Sequence, residues 1–255
     1  MGTTRENGSL YTNIANKIAT IEFGHPASNS FVAELLDRLT AEFDKLSENT
    51  QVSVIVLKSE GDRAFCAGAS FDELMAVSNL DEGKVFFSGF ANVINAMRKC
   101  KKVIIGRVQG KTVGGGVGLA AACDYVYASE AASIRLSELT IGIAPLVIAP
   151  AVERKIGTAA ISELSLAPTE WKNAYWAKEK GLFSKVFDDM NELDKELDFH
   201  AQKLADYNPE ALEEWKSVLW QGTDHWNALL IDRAAITGRL VLSQFTRNAL
   251  SKFKK

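Results

Sequence analysis

What this chain can fold into is limited most by a glycine run set between two apolar, β-branched stretches. The run reads Gly110-Lys-Thr-Val-Gly114-Gly115-Gly116-Val-Gly118-Leu-Ala-Ala. It follows KVIIGRVQG (residues 102–110), which reads as a strand, and passes through the small residues 114–122 to another strand-like run at 125–128. Consecutive glycines ahead of an alanine-rich helix let a ligand or a neighbouring element come close to the main chain. The first N–H groups of that helix have no partner inside it and carry the positive end of its dipole. They therefore suit an anion or a developing oxyanion. Tight helix packing favours the same residues and stays open. A P-loop does not fit, because Gly110-Lys111-Thr112 requires an earlier glycine where Ile105 stands. Residues 116–121 match the dinucleotide pattern G-x-G-x-x-A, but its ribose-binding acid is misplaced: Glu130 comes too early and Glu138 lies beyond a further strand-like stretch.

Elsewhere the pattern alternates. Residues 10–23 read as two short strands around a turn at Asn16, and residues 30–47 carry Phe31, Leu35, Leu36, Leu39, Phe43 and Leu46 on one helical stripe. QVSVIVLKSE (51–60) is nearly continuous in apolar residues, as in a strand covered on both faces. Residues 82–99 read as a helix. Strand and helix in alternation imply an α/β fold with crossover connections. After Ser162 the β-branched runs fade, and all five tryptophans lie between Trp171 and Trp226. The expected division is a core over residues 1–190 and a helical C-terminal region over 191–255, with the tryptophans in its core or at a subunit interface.

Composition narrows the function. A net charge of −3 argues against a protein that coats nucleic acid. The three cysteines, Cys66, Cys100 and Cys123, are too few and too widely spaced for a disulfide framework or a zinc site. The opening residues 1–10 lack the apolar run of a signal peptide, and no stretch is long enough to span a bilayer. The expectation is a cytoplasmic protein without nucleic-acid or membrane partners and without a metal.

A second strand-to-helix junction decides among the readings. Arg63-Ala-Phe-Cys-Ala67-Gly68-Ala69-Ser70-Phe71-Asp72-Glu73-Leu74 follows the 51–60 strand and again has small residues at the turn. AFCAGASFDEL resembles the AFCAGADxxE segment of the crotonase family, the enoyl-CoA hydratases and isomerases. QGKTVGGGVGLAAACDYVYA is similar to that family's second signature, LSELTIGIAP to its third, and AKEKGLFSKVF to its AxxxGLV segment. The similarity runs in order over roughly residues 10–190.

The resemblance implies a spiral of ββα repeats with a C-terminal helical trimerisation region, assembled as a homotrimer or hexamer. It implies an acyl-CoA thioester substrate, with no cofactor beyond the coenzyme A that is part of it. Two backbone N–H groups, by motif position those of Ala69 and Gly115, would form an oxyanion hole, with Ala67, Gly68, Gly114 and Gly116 around the substrate. Arg63 and the tail lysines Lys252, Lys254 and Lys255 are candidates for the CoA phosphates.

The carboxylates bear on the reaction. Family hydratases carry one Glu on the helix after GGG and another in the third signature. Here the first position is Gly118 and the second is Glu138. A lone carboxylate can take a proton from one carbon and return it two carbons along, which is a double-bond shift. The family's 3-to-2 enoyl-CoA isomerases are similar in keeping only the second Glu. The resemblance thus implies isomerisation with Glu138 as single proton shuttle; hydratase chemistry and a non-catalytic acyl-CoA-binding homologue are the alternatives. Apolar neighbours Ile134, Leu136, Leu139, Ile141 and Ile143 are expected to enclose Glu138 and raise its pKa. Ser70 stands where the family has Asp. Asp72 and Glu73 are expected to face solvent, Asp124 to be structural, and Cys66 to pack.

Overall fold

The computed structural model describes residues 7–252. It opens with a hairpin, β1 (Ser9–Ala15) against β2 (Ile18–Gly24), with Ala15 opposite Ile18. Asn16 and Lys17 both take left-handed φ values, 51° and 64°. A two-residue turn needs that geometry to follow the strand twist. α1 (Ala33–Ser47) buries the leucine and phenylalanine stripe.

Three turns of a repeat follow. β3 (Val54–Ser59), β4 (Ala64–Cys66), α2 (Phe71–Ala76) and α3 (Leu80–Lys99) make the first. β5 (Val103–Val108), β6 (Lys111–Val113) and α4 (Gly115–Ala122) make the second. β7 (Tyr125–Ser129), β8 (Ser133–Arg135), a 3₁₀ turn at Glu138–Ile141 and α5 (Ala149–Leu166) make the third. β9 (Lys172–Asn173), α6 (Ala174–Glu179) and β10 (Lys185–Phe187) close the spiral. In each turn the first strand joins a six-stranded sheet ordered β1-β2-β3-β5-β7-β10, and the second joins a four-stranded sheet ordered β4-β6-β8-β9. Strands β2 to β10 of the larger sheet run parallel, as do β4, β6 and β8 of the smaller. Val54, Ile55, Val56 and Leu57 are all buried, as a strand covered on both faces demands.

The strand expected over 102–110 is β5, and the short β6 that follows it, which the sequence did not signal, belongs to the other sheet. The chain turns at Gln109, whose buried side-chain amide donates to Ser59 Oγ (2.9 Å) and to the carbonyls of Ala64 (3.0 Å) and Gly61 (3.1 Å). These bonds tie the second turn of the spiral to the first.

Four helices follow: α7 (Met190–Ala205), α8 (Pro209–Leu219), α9 (Trp226–Val241) and α10 (Gln244–Ser251). They pack on the core. α9 lies along α3, where Gly83 and Gly238 meet so closely that a Cβ on Gly238 would sit 2.5 Å from the Gly83 carbonyl carbon. α8 is held by Lys216, whose ammonium lies 3.1 Å from Asp124 Oδ2 and donates to the carbonyls of Lys102 (2.7 Å) and Met97 (3.1 Å). Asp124 also accepts from the Ile104 N–H and the Trp220 indole. A buried pair survives only when its remaining valences are met in this way. Trp220 and Trp226 are core residues, whereas Trp171 and Trp215 are exposed.

Candidate active site

The first parts of the site come from three adjacent strand ends. β4, β6 and β8 are neighbours in the small sheet, and the chain leaves the C-terminal end of each into one cavity. After β4 come Ala67, Gly68 and Ala69; after β6, Gly114 and Gly115; after β8, Ser137 and Glu138. The cavity measures about 590 Å³. Its other walls are mostly apolar and include Phe71, Leu74, Phe87, Phe90 and Ile148.

In the two glycine-alanine turns the hydrogen bonds are sorted. The Ala67 N–H donates to Ser28 O, the Gly68 N–H to Cys66 Sγ, and the Gly114 N–H to Arg135 O. Phe31 bridges this region, donating to Gly68 O (2.8 Å) and accepting from the Ser70 N–H (2.7 Å), which leaves the intervening Ala69 N–H unused. Gly115 is the first residue of α4, so its N–H has no acceptor within the helix. Thus, among the described residues, the N–H groups of Ala69 and Gly115 are without partners and both residues line the cavity. Gly114 turns the chain between them with φ 52° and ψ −118°, a conformation open to glycine alone.

Glu138 starts the 3₁₀ turn and faces these donors. Its Oε1 would lie 2.9 Å from a Cβ placed on Gly114. Its Oε2 is sealed from solvent and has no hydrogen-bond partner, although the residue as a whole keeps some surface. Burial pushes the carboxyl up to about 7, against smaller lowering effects from its own backbone N–H and the Arg135 charge. The surround is apolar as expected, with Ile141 and Ile143 at the cavity wall and Ile134 and Leu136 buried behind. Leu139 differs: it is exposed, because the 3₁₀ turn points it outward.

Gly118, where a second carboxylate would stand, does not reach the cavity. A Cβ there would lie 2.5 Å from Ile148 Cγ2 and 2.7 Å from Ile148 Cβ. Ile148 precedes α5 and is itself a wall residue. No motif signalled it, since the contact exists only once α5 packs on α4.

Other expected site residues fall elsewhere. Arg63 is exposed and does not line the cavity. Gly116 lies behind the turn, where a Cβ would meet Cys66 Cβ at 2.6 Å, so its smallness serves packing. Lys252 caps α10 at the surface, while Lys254 and Lys255 lie outside the described residues. Cys66 is buried and burial pushes its thiol up to about 12, which leaves it inert. Ser70 caps α2, accepting from the Glu73 N–H. Glu73 is not simply solvated: its Oε2 accepts from the Ala33 N–H (2.8 Å) at the start of α1.

Comparison with known proteins identifies the family. The enoyl-CoA hydratase/isomerase family profile matches residues 13–239. The chain belongs to the enoyl-CoA hydratase/isomerase family. Among curated relatives, it is 31% identical over 209 residues to the peroxisomal Delta(3,5)-Delta(2,4)-dienoyl-CoA isomerase of Arabidopsis thaliana, covering 73% of this chain and 74% of that one. It is 31% identical over 201 residues to the mitochondrial methylglutaconyl-CoA hydratase of Rattus norvegicus, covering 77% and 63%. The crystal structure of an enoyl-CoA hydratase from Bacillus halodurans superposes with a TM-score of 0.88 over 95% of this chain and 99% of that one, at 20% identity. The α/β spiral with C-terminal helices is therefore the crotonase fold, and the chain is a crotonase-type enzyme. Within this family, Ile148 and the cavity-lining Arg135 and Phe90 are what motif reading missed. Arg135 alone left a trace in the sequence, as a charge in the apolar stretch three residues before Glu138.

Proposed function

We propose that the enzyme moves a double bond in an acyl-CoA thioester, from the 3 to the 2 position, with Glu138 carrying the proton. The observation that carries this reading is that Glu138 is the single carboxylate among the described residues lining the cavity. As a carboxylate it takes a proton from C2 of a 3-enoyl thioester. The released electron pair spreads onto the thioester oxygen, where the N–H groups of Ala69 and Gly115 donate to the growing negative charge. The Glu138 carboxylic acid then returns the proton to C4 as the double bond settles between C2 and C3. Nothing is added or lost. A carboxyl titrating near 7 suits a group that must both accept and return a proton at neutral pH.

Hydration, the alternative, needs water held and activated at C3. Ile148 occupies the space at Gly118 where a second carboxylate would do this, which favours isomerisation. The test is product analysis after mixing the enzyme separately with a 3-enoyl-CoA and a 2-enoyl-CoA. Unchanged mass with a moved double bond supports the reading. Addition of water to the 2-enoyl substrate identifies a hydratase, and binding without either product identifies a non-catalytic homologue. The exposed Phe199 on α7, Trp215 on α8 and Tyr207 in the loop between them support an assembly surface there. Sedimentation equilibrium is expected to give a trimer or hexamer.

A further inference from the structure

Arg135 is a cation in the wall of the cavity that donates no side-chain hydrogen bond to any described residue. It ends β8, and its carbonyl accepts the Gly114 N–H at 3.0 Å, one residue from the Gly115 donor. Its guanidinium carbon lies 4.5 Å from the centre of the Trp171 ring. Its Nε is sealed from solvent with no hydrogen-bond partner. No ion pair joins it to Glu138 or to any other described acid, and none of its other donors meets a described protein acceptor. The proposed mechanism does not use it.

Leaving a guanidinium nitrogen sealed from water without an acceptor is costly. The ring of Trp171 offsets part of this on one face. The planar fork is best completed by a carboxylate or phosphate taken at its edge. A CoA phosphate is poorly placed to supply this group. The Arg135 backbone is bonded beside the oxyanion donors, so its guanidinium is tethered within one side-chain length of the strand ends. The pantetheine arm, by contrast, holds the phosphates far from the thioester. Glu138 feels the Arg135 charge but is not ion-paired to it, so within the ligand the remaining source of an anion for the guanidinium is the acyl group.

We infer that Arg135 recognises a carboxylate on the acyl chain, so that the substrates are acyl-CoA thioesters ending in an acid. This rests on the acyl-CoA reading above and is independent of whether the reaction is isomerisation or hydration.

The test is therefore binding of unreactive saturated ligands, read by titration calorimetry on the intact protein. The probes are adipoyl-CoA, which ends in a carboxylate, hexanoyl-CoA, which ends in a methyl group, and free CoA. The wild type is expected to bind adipoyl-CoA about tenfold or more tightly than hexanoyl-CoA, the scale of a charge-assisted hydrogen bond. Arg135→Met should remove that preference and leave hexanoyl-CoA and CoA affinities unchanged, whereas Arg135→Lys, which keeps the charge, should retain part of it. Equal affinity of the wild type for the two acyl ligands overturns the inference, whatever the variants do. So does a parallel loss for adipoyl-CoA, hexanoyl-CoA and CoA in Arg135→Met with Arg135→Lys unaffected, since that pattern marks a phosphate contact. Because no turnover is measured, a failed isomerase assay leaves this result standing.

Discussion

Ile148 fills the space over the Cα of Gly118, with its Cγ2 2.5 Å from where a Cβ would be. The two residues exclude a second carboxylate together: one lacks a side chain and the other occupies the volume. Gly118→Ala is expected to cost about 1–3 kcal/mol of stability through overpacking. The cost should be smaller when added to Ile148→Ala, which removes the nearer contact. A double-mutant cycle from urea unfolding reads the coupling.

Glu138→Gln should lower kcat by about 10²–10⁴-fold while leaving acyl-CoA affinity intact. In the wild type, kcat/KM should rise with pH as the carboxyl ionises near 7. Any residual activity of the variant should lack that inflection.

The same carboxyl predicts a stability effect with a definite sign. Its folded pKa is raised to about 7, above its ordinary value of 4.5, so between these pH values the native state holds a proton that the unfolded state has lost. Stability contributed by this group is full below the lower value and declines as pH rises toward the upper. Glu138→Gln, which cannot ionise, should therefore exceed the wild type at pH 8 by on the order of 1–3 kcal/mol, and the gap should close toward pH 4.5. Denaturant unfolding at the two pH values checks this.

Ala69→Pro removes one N–H donor that no protein group uses. Loss of such a donor typically raises the barrier by about 2.7–4 kcal/mol. Turnover should fall accordingly, with CoA affinity preserved as the control that the turn is intact.

Lys216→Met strands Asp124 in the interior and should cost about 3–5 kcal/mol. Adding Asp124→Asn, which removes the stranded charge but keeps an acceptor for only one of Ile104 and Trp220, should recover part of the loss. Thermal unfolding of the single and double variants reads the difference.

The sequence disclosed the site where chemistry is local. Ala69, Gly115 and Glu138 each sit in a short segment whose small residues or charge mark a turn, and the structure gathers all three into one cavity. Longer elements such as α1, β3, α3 and β5 were legible too, because burial on one face or two leaves a period, whereas α5, kinked at Gly157, was not read. The small sheet was not: strands of two or three residues, such as β8 and β9, are too short to show a period. The switch of sheets after Gln109 was hidden because the turn there is held by a side-chain amide bonded to a segment fifty or so residues earlier. Gly116 illustrates the reverse error. It shares the glycine signature with its neighbours, yet its reason is Cys66 behind it and not a ligand in front.

The two donor-bearing turns leave neighbouring strands, β4 and β6, of one parallel ladder. Backbone pairing sets such strands about 4.8 Å apart whatever their side chains. The proposed oxyanion hole thus inherits its width from main-chain pairing, and substitution elsewhere in the cavity cannot easily retune it. The proposed base, Glu138, by contrast, stands on a separate turn after β8. A lineage could therefore exchange one proton-moving group for another, or reshape the acyl wall, without disturbing the part that activates the thioester. Chemistry on this scaffold is free to diverge at one station while the other stays fixed.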